Sequence, residues 1–277
     1  MPDDNVTKDP HPWGDRHDLH ALFQKYGSCI VRVQVKQENG DHANGTAFHI
    51  GGGAFATAAH VVRGNSDLRL FTGDSTWQPD EGSAVTEVLY HSDESVDVAI
   101  LLSELWREAT VDHGQPSKPH DERPLYIDVP EMWGEWIEDS LVLTRGIICG
   151  YPKVPRSDGA YKIAVSAEIN ADIQRYDIPN VHFIVSSTAR GGFSGAPFIS
   201  EFDMLLGIVT EALSDDKLES PYMAVIAIEA IYGIFDENEE ALKGRMEHYL
   251  AAWSQPQNDL ASRLKLLEAP QQEGQSN

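Results

Sequence analysis

Apolar residues recur along this chain in two rhythms. The first is helical. Over residues 15–26, Leu19, Leu22 and Phe23 fall on one face and Gly27 follows as a stop, which predicts a short N-terminal helix. From residue 30 the period shortens to two. Residues 30–35 read Ile-Val-Arg-Val-Gln-Val, the pattern of a half-buried strand. Further short strands are predicted at 45–50, 55–59, 68–71, 86–90 and 98–102, with Gly51-Gly52-Gly53 as a tight connection between two of them. Residues 104–140 break the pattern: Trp106, Trp133 and Trp136 are interleaved with Pro116, Pro119, Pro124 and several acids. This stretch reads as a crossover linker or a partner-binding insertion. A second set of strands is predicted at 141–149, 162–169, 181–186, 196–200, 205–210 and 222–228. Two runs of about six short strands each predict a mostly β protein built from two packed antiparallel six-stranded barrels.

The chain then returns to the helical rhythm. Asp236 reads as an N-cap with Glu239 as its capping-box partner, and Leu242, Met246, Tyr249, Leu250 and Trp253 form one apolar stripe. A shorter helix is expected over 259–268, and a flexible tail over 270–277. The expected organisation is an N-terminal extension with a short helix (1–27), a first barrel (28–103), the linker (104–140), a second barrel (141–230), and C-terminal helices with the tail (231–277).

Charge narrows the choice of partners. The formal net charge is −23, from 21 Lys and Arg against 44 Asp and Glu. A field of that sign repels phosphate backbones, so nucleic acid is not expected as a direct partner. It serves solubility, or attraction to basic substrates. Cys29 and Cys149 each sit in an apolar run and read as small buried hydrophobes, with a single disulfide left open. So few cysteines favour a reducing compartment. Residues 1–9 lack the basic start and apolar stretch of a secretory signal, and no run reaches the roughly 18 apolar residues of a membrane span. The expectation is a cytoplasmic protein with no membrane partner.

Three segments carry candidate chemistry. Thr57-Ala58-Ala59-His60 closes a strand that follows the glycine turn. Asp97 opens the apolar run Val98-Ala99-Ile100-Leu101-Leu102, where its carboxylate is placed to orient an imidazole; Asp93 and Glu94 compete for that role. In Arg190-Gly191-Gly192-Phe193-Ser194-Gly195-Ala196-Pro197, glycines flank a serine, as a nucleophile beside converging backbone N–H groups requires. His17 and His20 share a helix face, but no Cys, His or Asp cluster completes a metal site nearby, so neither metal nor cofactor is expected.

Together with Gly45-Thr46-Ala47-Phe48, Gly150-Tyr151-Pro152 and Leu206-Gly207-Ile208-Val209-Thr210, these segments resemble the chymotrypsin/trypsin-like serine peptidase family. The resemblance is strongest to its bacterial single-domain trypsin-like members and spans about residues 28–230. It implies the chymotrypsin-like double barrel and endopeptidase activity on a protein or peptide substrate. It also implies a triad of His60, Asp97 and Ser194, with the N–H groups of Gly192 and Ser194 as oxyanion donors. Residues 206–210 are then the strand lining the substrate cleft, and Thr188, Arg190, Thr210 and Glu211 the substrate-binding positions. Thr188 stands where the base of the primary pocket is expected; it is not an acid, so a preference for Lys or Arg does not follow. Glu211 suits a basic substrate side chain and Arg190 an acidic one. Two departures matter. Phe193 replaces the aspartate that pairs with a new N-terminus in digestive members, so control is expected from a regulatory partner or another cut. Ala196 replaces a second glycine. The alternative is a catalytically silent scaffold that keeps the fold for binding. An esterase with the same triad is disfavoured, because residues 192–196 read Gly-Phe-Ser-Gly-Ala and not Gly-x-Ser-x-Gly.

Overall fold

Alternating valines start the first barrel. A computed structural model of the chain describes residues 14–37, 39–73, 82–107, 126–130, 141–157, 159–174, 180–187, 191–213 and 222–246. After helix α1 (Leu19–Tyr26), strand β1 (Ile30–Lys36) turns Val31, Val33 and Val35 inward. It is followed by β2 (His42–Gly51), β3 (Ala54–Thr57), the one-turn helix α2 (Ala59–Val62), β4 (Ser66–Phe71), β5 (Ser83–Tyr90) and β6 (Ala99–Ser103). These strands close in the order β1-β2-β3-β6-β5-β4, every pairing antiparallel.

The second barrel uses β7 (Arg145–Gly150), β8 (Ile163–Gln174), β9 (Val181–Val185), β10 (Pro197–Ser200), β11 (Leu205–Leu213) and β12 (Tyr222–Ala227), closed as β10-β11-β12-β9-β8-β7. The two six-stranded antiparallel barrels are those the alternation predicts, and the fold is the chymotrypsin-like one. Ile30, Phe48, Ile50 and Ile100 of the first barrel belong to the apolar cluster that fills the second. They alternate with the inward residues of their own strands, so the outer face of the first barrel seals the seam between the two.

Several boundaries move for physical reasons. Helix α1 begins at Leu19 because Asp18 caps it, accepting from the N–H groups of His20 (3.0 Å) and Ala21 (3.1 Å). It is tied to the second barrel by Lys25–Asp203 (2.5 Å) and by His17 N–H donating to Glu201 O (2.6 Å). The strand expected from residue 141 starts only at Arg145; residues 141–144 form a turn with Leu143 at φ +70°. Asp236 is not an N-cap. It lies inside α3 (Ala230–Glu237), whose start is set by the burial of Ile231, Tyr232, Ile234 and Phe235 rather than by a capping signal. A short α4 (Glu239–Leu242) follows, and Leu242 and Met246 are buried. Tyr249, Leu250, Trp253 and the helix expected at 259–268 lie outside the described residues.

Two segments tie the barrels together. Arg245 donates to Gly52 O (3.1 Å), Ser103 O (2.9 Å) and Glu104 Oε1 (3.0 Å), so the chain leaving the second barrel is fastened to the first. Gly52, at φ +55°, lies so close beneath this strap that a Cβ there would sit 2.0 Å from Arg245 O. Within the linker region, Ile127 and Val129 are buried and Ile127 N–H donates to His49 O (2.9 Å). Cys29 and Cys149 are buried thiols, and burial pushes the Cys29 thiol up to about 12.

Candidate active site

His60 sits on α2, the single turn that follows β3, and not at the strand end itself. Ala58, Ala59 and Val62 are buried and pin that turn, which leaves the imidazole 49% exposed. Asp97 stands between Val96 and Val98, both fully buried, so its side chain emerges on the opposite side of the chain just before β6. The two side chains meet. Asp97 Oδ1 accepts from the His60 backbone N–H at 2.8 Å, and Oδ2 lies 2.6 Å from His60 Nδ1. A carboxylate can only accept, so Nδ1 carries the proton and Nε2 of the neutral ring is the proton acceptor. The competing acids are otherwise engaged. Asp93 accepts from Ser95 N–H (2.9 Å) and Ser95 Oγ (2.6 Å), bonds that hold its carboxyl below the usual range. Glu94 is tied through its backbone carbonyl, which accepts from Arg63 Nη1 (3.2 Å), and its carboxylate makes no bond to His60 among the described residues.

Ser194 lies half-buried in the turn that enters β10. Hydrogen bonds from both barrels fix that turn. Thr46 N–H, in β2, donates to Ser194 O (3.0 Å), and Thr46 Oγ1 donates to Gly192 O (2.7 Å) while accepting from Tyr151 N–H (3.0 Å). Thr57 Oγ1, at the end of β3, donates to Thr46 O (2.7 Å). On the other flank Gly195 N–H donates to Val209 O (2.7 Å) and Val209 N–H to Ala196 O (2.8 Å), in β11. The turn needs glycine at two positions. Gly192 is at φ +102° and Gly195 at φ +84°, and a Cβ on Gly195 would sit 2.0 Å from Thr46 O and 2.2 Å from Thr57 Oγ1. Ser194 is thereby locked against Thr57-Ala58, two residues before His60. Phe193, beside it, is buried in the apolar core against Gly150 and Ala196.

Among the described residues, neither the Gly192 nor the Ser194 N–H donates to a backbone carbonyl. Thr210 lies in β11, buried, its hydroxyl without a hydrogen-bond partner among the described residues. The β11–β12 register shifts between Val209 and Ala212, a bulge beside the serine turn. Glu211 continues β11, while Thr188 and Arg190 lie outside the described residues. Sequence reading gave no role to Thr46, Thr57 or Tyr151. The available signal was weak but physical: a hydroxyl in a wholly buried strand must find a partner.

No protein-family model and no curated protein sequence matches the chain. Solved structures do match. The Rv3671c protease from M. tuberculosis, active form, is 21% identical with a TM-score of 0.54, over 83% of this chain and 87% of that one. The serine endoprotease from Yersinia pestis is 15% identical with a TM-score of 0.51, over 83% and 67%. The HtrA-type protease AlgW with tripeptide is 14% identical with a TM-score of 0.53, over 81% and 63%. At these identities the likeness is one of fold.

Proposed function

We propose that this chain is a serine endopeptidase. The observation that carries the reading is the doubly bonded His60–Asp97 pair, in a chymotrypsin-like double barrel whose Thr57-Ala58 segment, just before His60, packs against the tethered Ser194-Gly195 turn. In this reading Ser194 Oγ attacks the scissile carbonyl, His60 Nε2 takes its proton and returns it to the leaving amine, and Asp97 holds the imidazole in that tautomer. The unengaged N–H groups of Gly192 and Ser194 receive the oxyanion. Residues 206–210 of β11 align the acyl side of a protein or peptide substrate, with Thr188, Arg190, Thr210 and Glu211 around its primary pocket.

Phe193 shapes the proposed control. Its ring fixes the serine turn through apolar packing where an ion pair to a new N-terminus would act in digestive relatives. Regulation then falls to a bound partner or to a cut elsewhere. The test is covalent labelling by a fluorophosphonate probe. Wild type is expected to label and Ser194→Ala not to. Equal labelling of both would refute the role of Ser194. A wild type that stays unlabelled even with its natural partners would leave a binding scaffold as the better account.

A further inference from the structure

A cavity of about 490 Å³ opens beside the Ser194 turn. It is walled by the start of β2 (His42, Asn44), by Tyr151 and Lys153 after β7, by Gly192, and by Arg32 of β1. No described residue of β11 borders it. Its lining also inverts the charge of the molecule. In a chain of net charge −23, none of the described lining residues is a carboxylate and three are basic: Arg32, His42 and Lys153.

Arg32 is the unusual member. Among the described residues, its side chain makes one hydrogen bond, from Nη1 to the neutral Asn44 Oδ1 (3.2 Å). The guanidinium lies 4.2 Å from the centroid of the Phe71 ring, and its Nε is buried with no hydrogen-bond partner among the described residues. Burial lowers its pKa, yet a guanidinium stays charged. Among the described residues, this partly desolvated cation has only neutral neighbours and no counter-ion of the kind such groups ordinarily have. Lys153, exposed, extends the positive lining toward solvent, beside the exposed His42.

On the reading above, a substrate lays its acyl side along β11 and its carbonyl oxygen at the Gly192 and Ser194 N–H groups. Its leaving side then departs past Gly192 toward β2, where the cavity lies. We infer that this cavity binds a carboxylate on the leaving side of the substrate, an Asp or Glu side chain or a C-terminal carboxylate within a few residues of the scissile bond. Arg32 is its principal partner and Lys153 its outer one. The inference rests on the peptidase reading for the word substrate, but its chemistry can be tested without turnover.

The test is a titration of the ¹⁵N-labelled protein with N-acetyl-aspartate methylamide, N-acetyl-asparagine methylamide, N-acetylglycine and N-acetylglycinamide. Saturable shifts of the Gly191, Gly192 and Lys153 amides are expected with at least one carboxylate compound and not with its neutral counterpart. The aspartate compound reports a side-chain source and N-acetylglycine a C-terminal one. Arg32→Gln is expected to weaken binding about tenfold, the size of a charge-assisted hydrogen bond, and Lys153→Ala by a few-fold. Absence of carboxylate-specific shifts overturns the proposal, as does binding unchanged in a folded Arg32→Gln. If Arg32→Gln does not fold, Lys153→Ala decides, because its side chain is exposed and its removal leaves the core untouched. In cleavage assays, Asp over Asn (or free acid over amide) on the leaving side is expected to raise kcat/KM about tenfold in wild type, and Arg32→Gln to abolish that preference. Failure of fluorophosphonate labelling would remove the peptidase reading and leave the titration to decide the cavity by itself.

Discussion

At the scale of single residues, the proposed site depends on groups outside the triad. Thr46 is the clearest. Its N–H, carbonyl and hydroxyl are all engaged, and through them β2 grips Ser194, Thr57, Gly192 and Tyr151. Thr46→Val keeps the branched shape and removes the hydroxyl. It strands the buried Gly192 carbonyl and Tyr151 N–H, at a cost on the order of 1–3 kcal/mol. The variant is therefore expected to melt earlier and, on the proposed mechanism, to lose kcat/KM by about tenfold or more, because Gly192, released at its carbonyl, is no longer held with its own N–H toward the oxyanion. Calorimetry and steady-state kinetics measure both. Lost stability with intact turnover would show that Thr46 supports the fold and not the oxyanion site.

At the scale of elements, α3 reaches the loop that carries Asp97. Glu237, at its C-terminal end, accepts from Ser92 N–H (2.9 Å) and from Ser92 Oγ, and the His91 ring lies over Gly233, where a Cβ would come within 2.4 Å of Nε2. Glu237→Ala frees that loop. The side chain is exposed, so little stability is at stake, about 1 kcal/mol or less. Turnover is expected to fall a few-fold, and Glu237→Gln, which keeps one acceptor, to recover part of it. Unchanged turnover in Glu237→Ala would rule out the clamp. None of this was legible in the sequence. Period-two alternation marked strands such as β1, where Val31, Val33 and Val35 share one buried face, while β3, β6, β9 and β10, buried at every position, read as short, mostly apolar runs. The glycines around Ser194 and the apolar flanks of Asp97 were legible for the same kind of reason: local backbone and local burial. Helix α3 falls within the span expected to be helical but begins ahead of Asp236, a plausible but false cap, because burial and not a capping signal sets its start. The pairing of Thr46 with Gly192, 146 positions apart, leaves no periodic trace at all.

At the scale of the whole molecule, excess negative charge and one buried acid act in the same direction. Glu229 precedes α3 with Oε2 buried and without a hydrogen-bond partner among the described residues, and burial pushes its carboxyl up to about 7. The Asp236 carboxyl is raised too, by burial and by the neighbouring Glu237 and Glu239. For Glu229 the folded chain holds its proton up to about pH 7, while the unfolded chain releases it near the ordinary glutamate value of about 4.3. Between those values the folded state binds more protons, so stability falls as pH rises through the window and levels off above it. Self-repulsion among 44 acids against 21 bases adds a slope of the same sign, so the wild-type curve alone cannot assign the effect. Glu229→Gln separates the two, because it keeps the shape and removes the titration. The variant and wild type are expected to unfold at similar denaturant concentration near pH 4. By pH 8 the variant is expected to be more stable by on the order of 3 kcal/mol, since the wild type must then ionise a buried carboxyl. Chemical denaturation at four or five pH values across that range supplies the difference curve. A gap that opens between pH 4 and 7 and then stays constant assigns the slope to Glu229. A gap that is constant throughout would mean that the carboxyl finds water or a partner in the folded protein, and that the pH dependence belongs to the acidic surface alone.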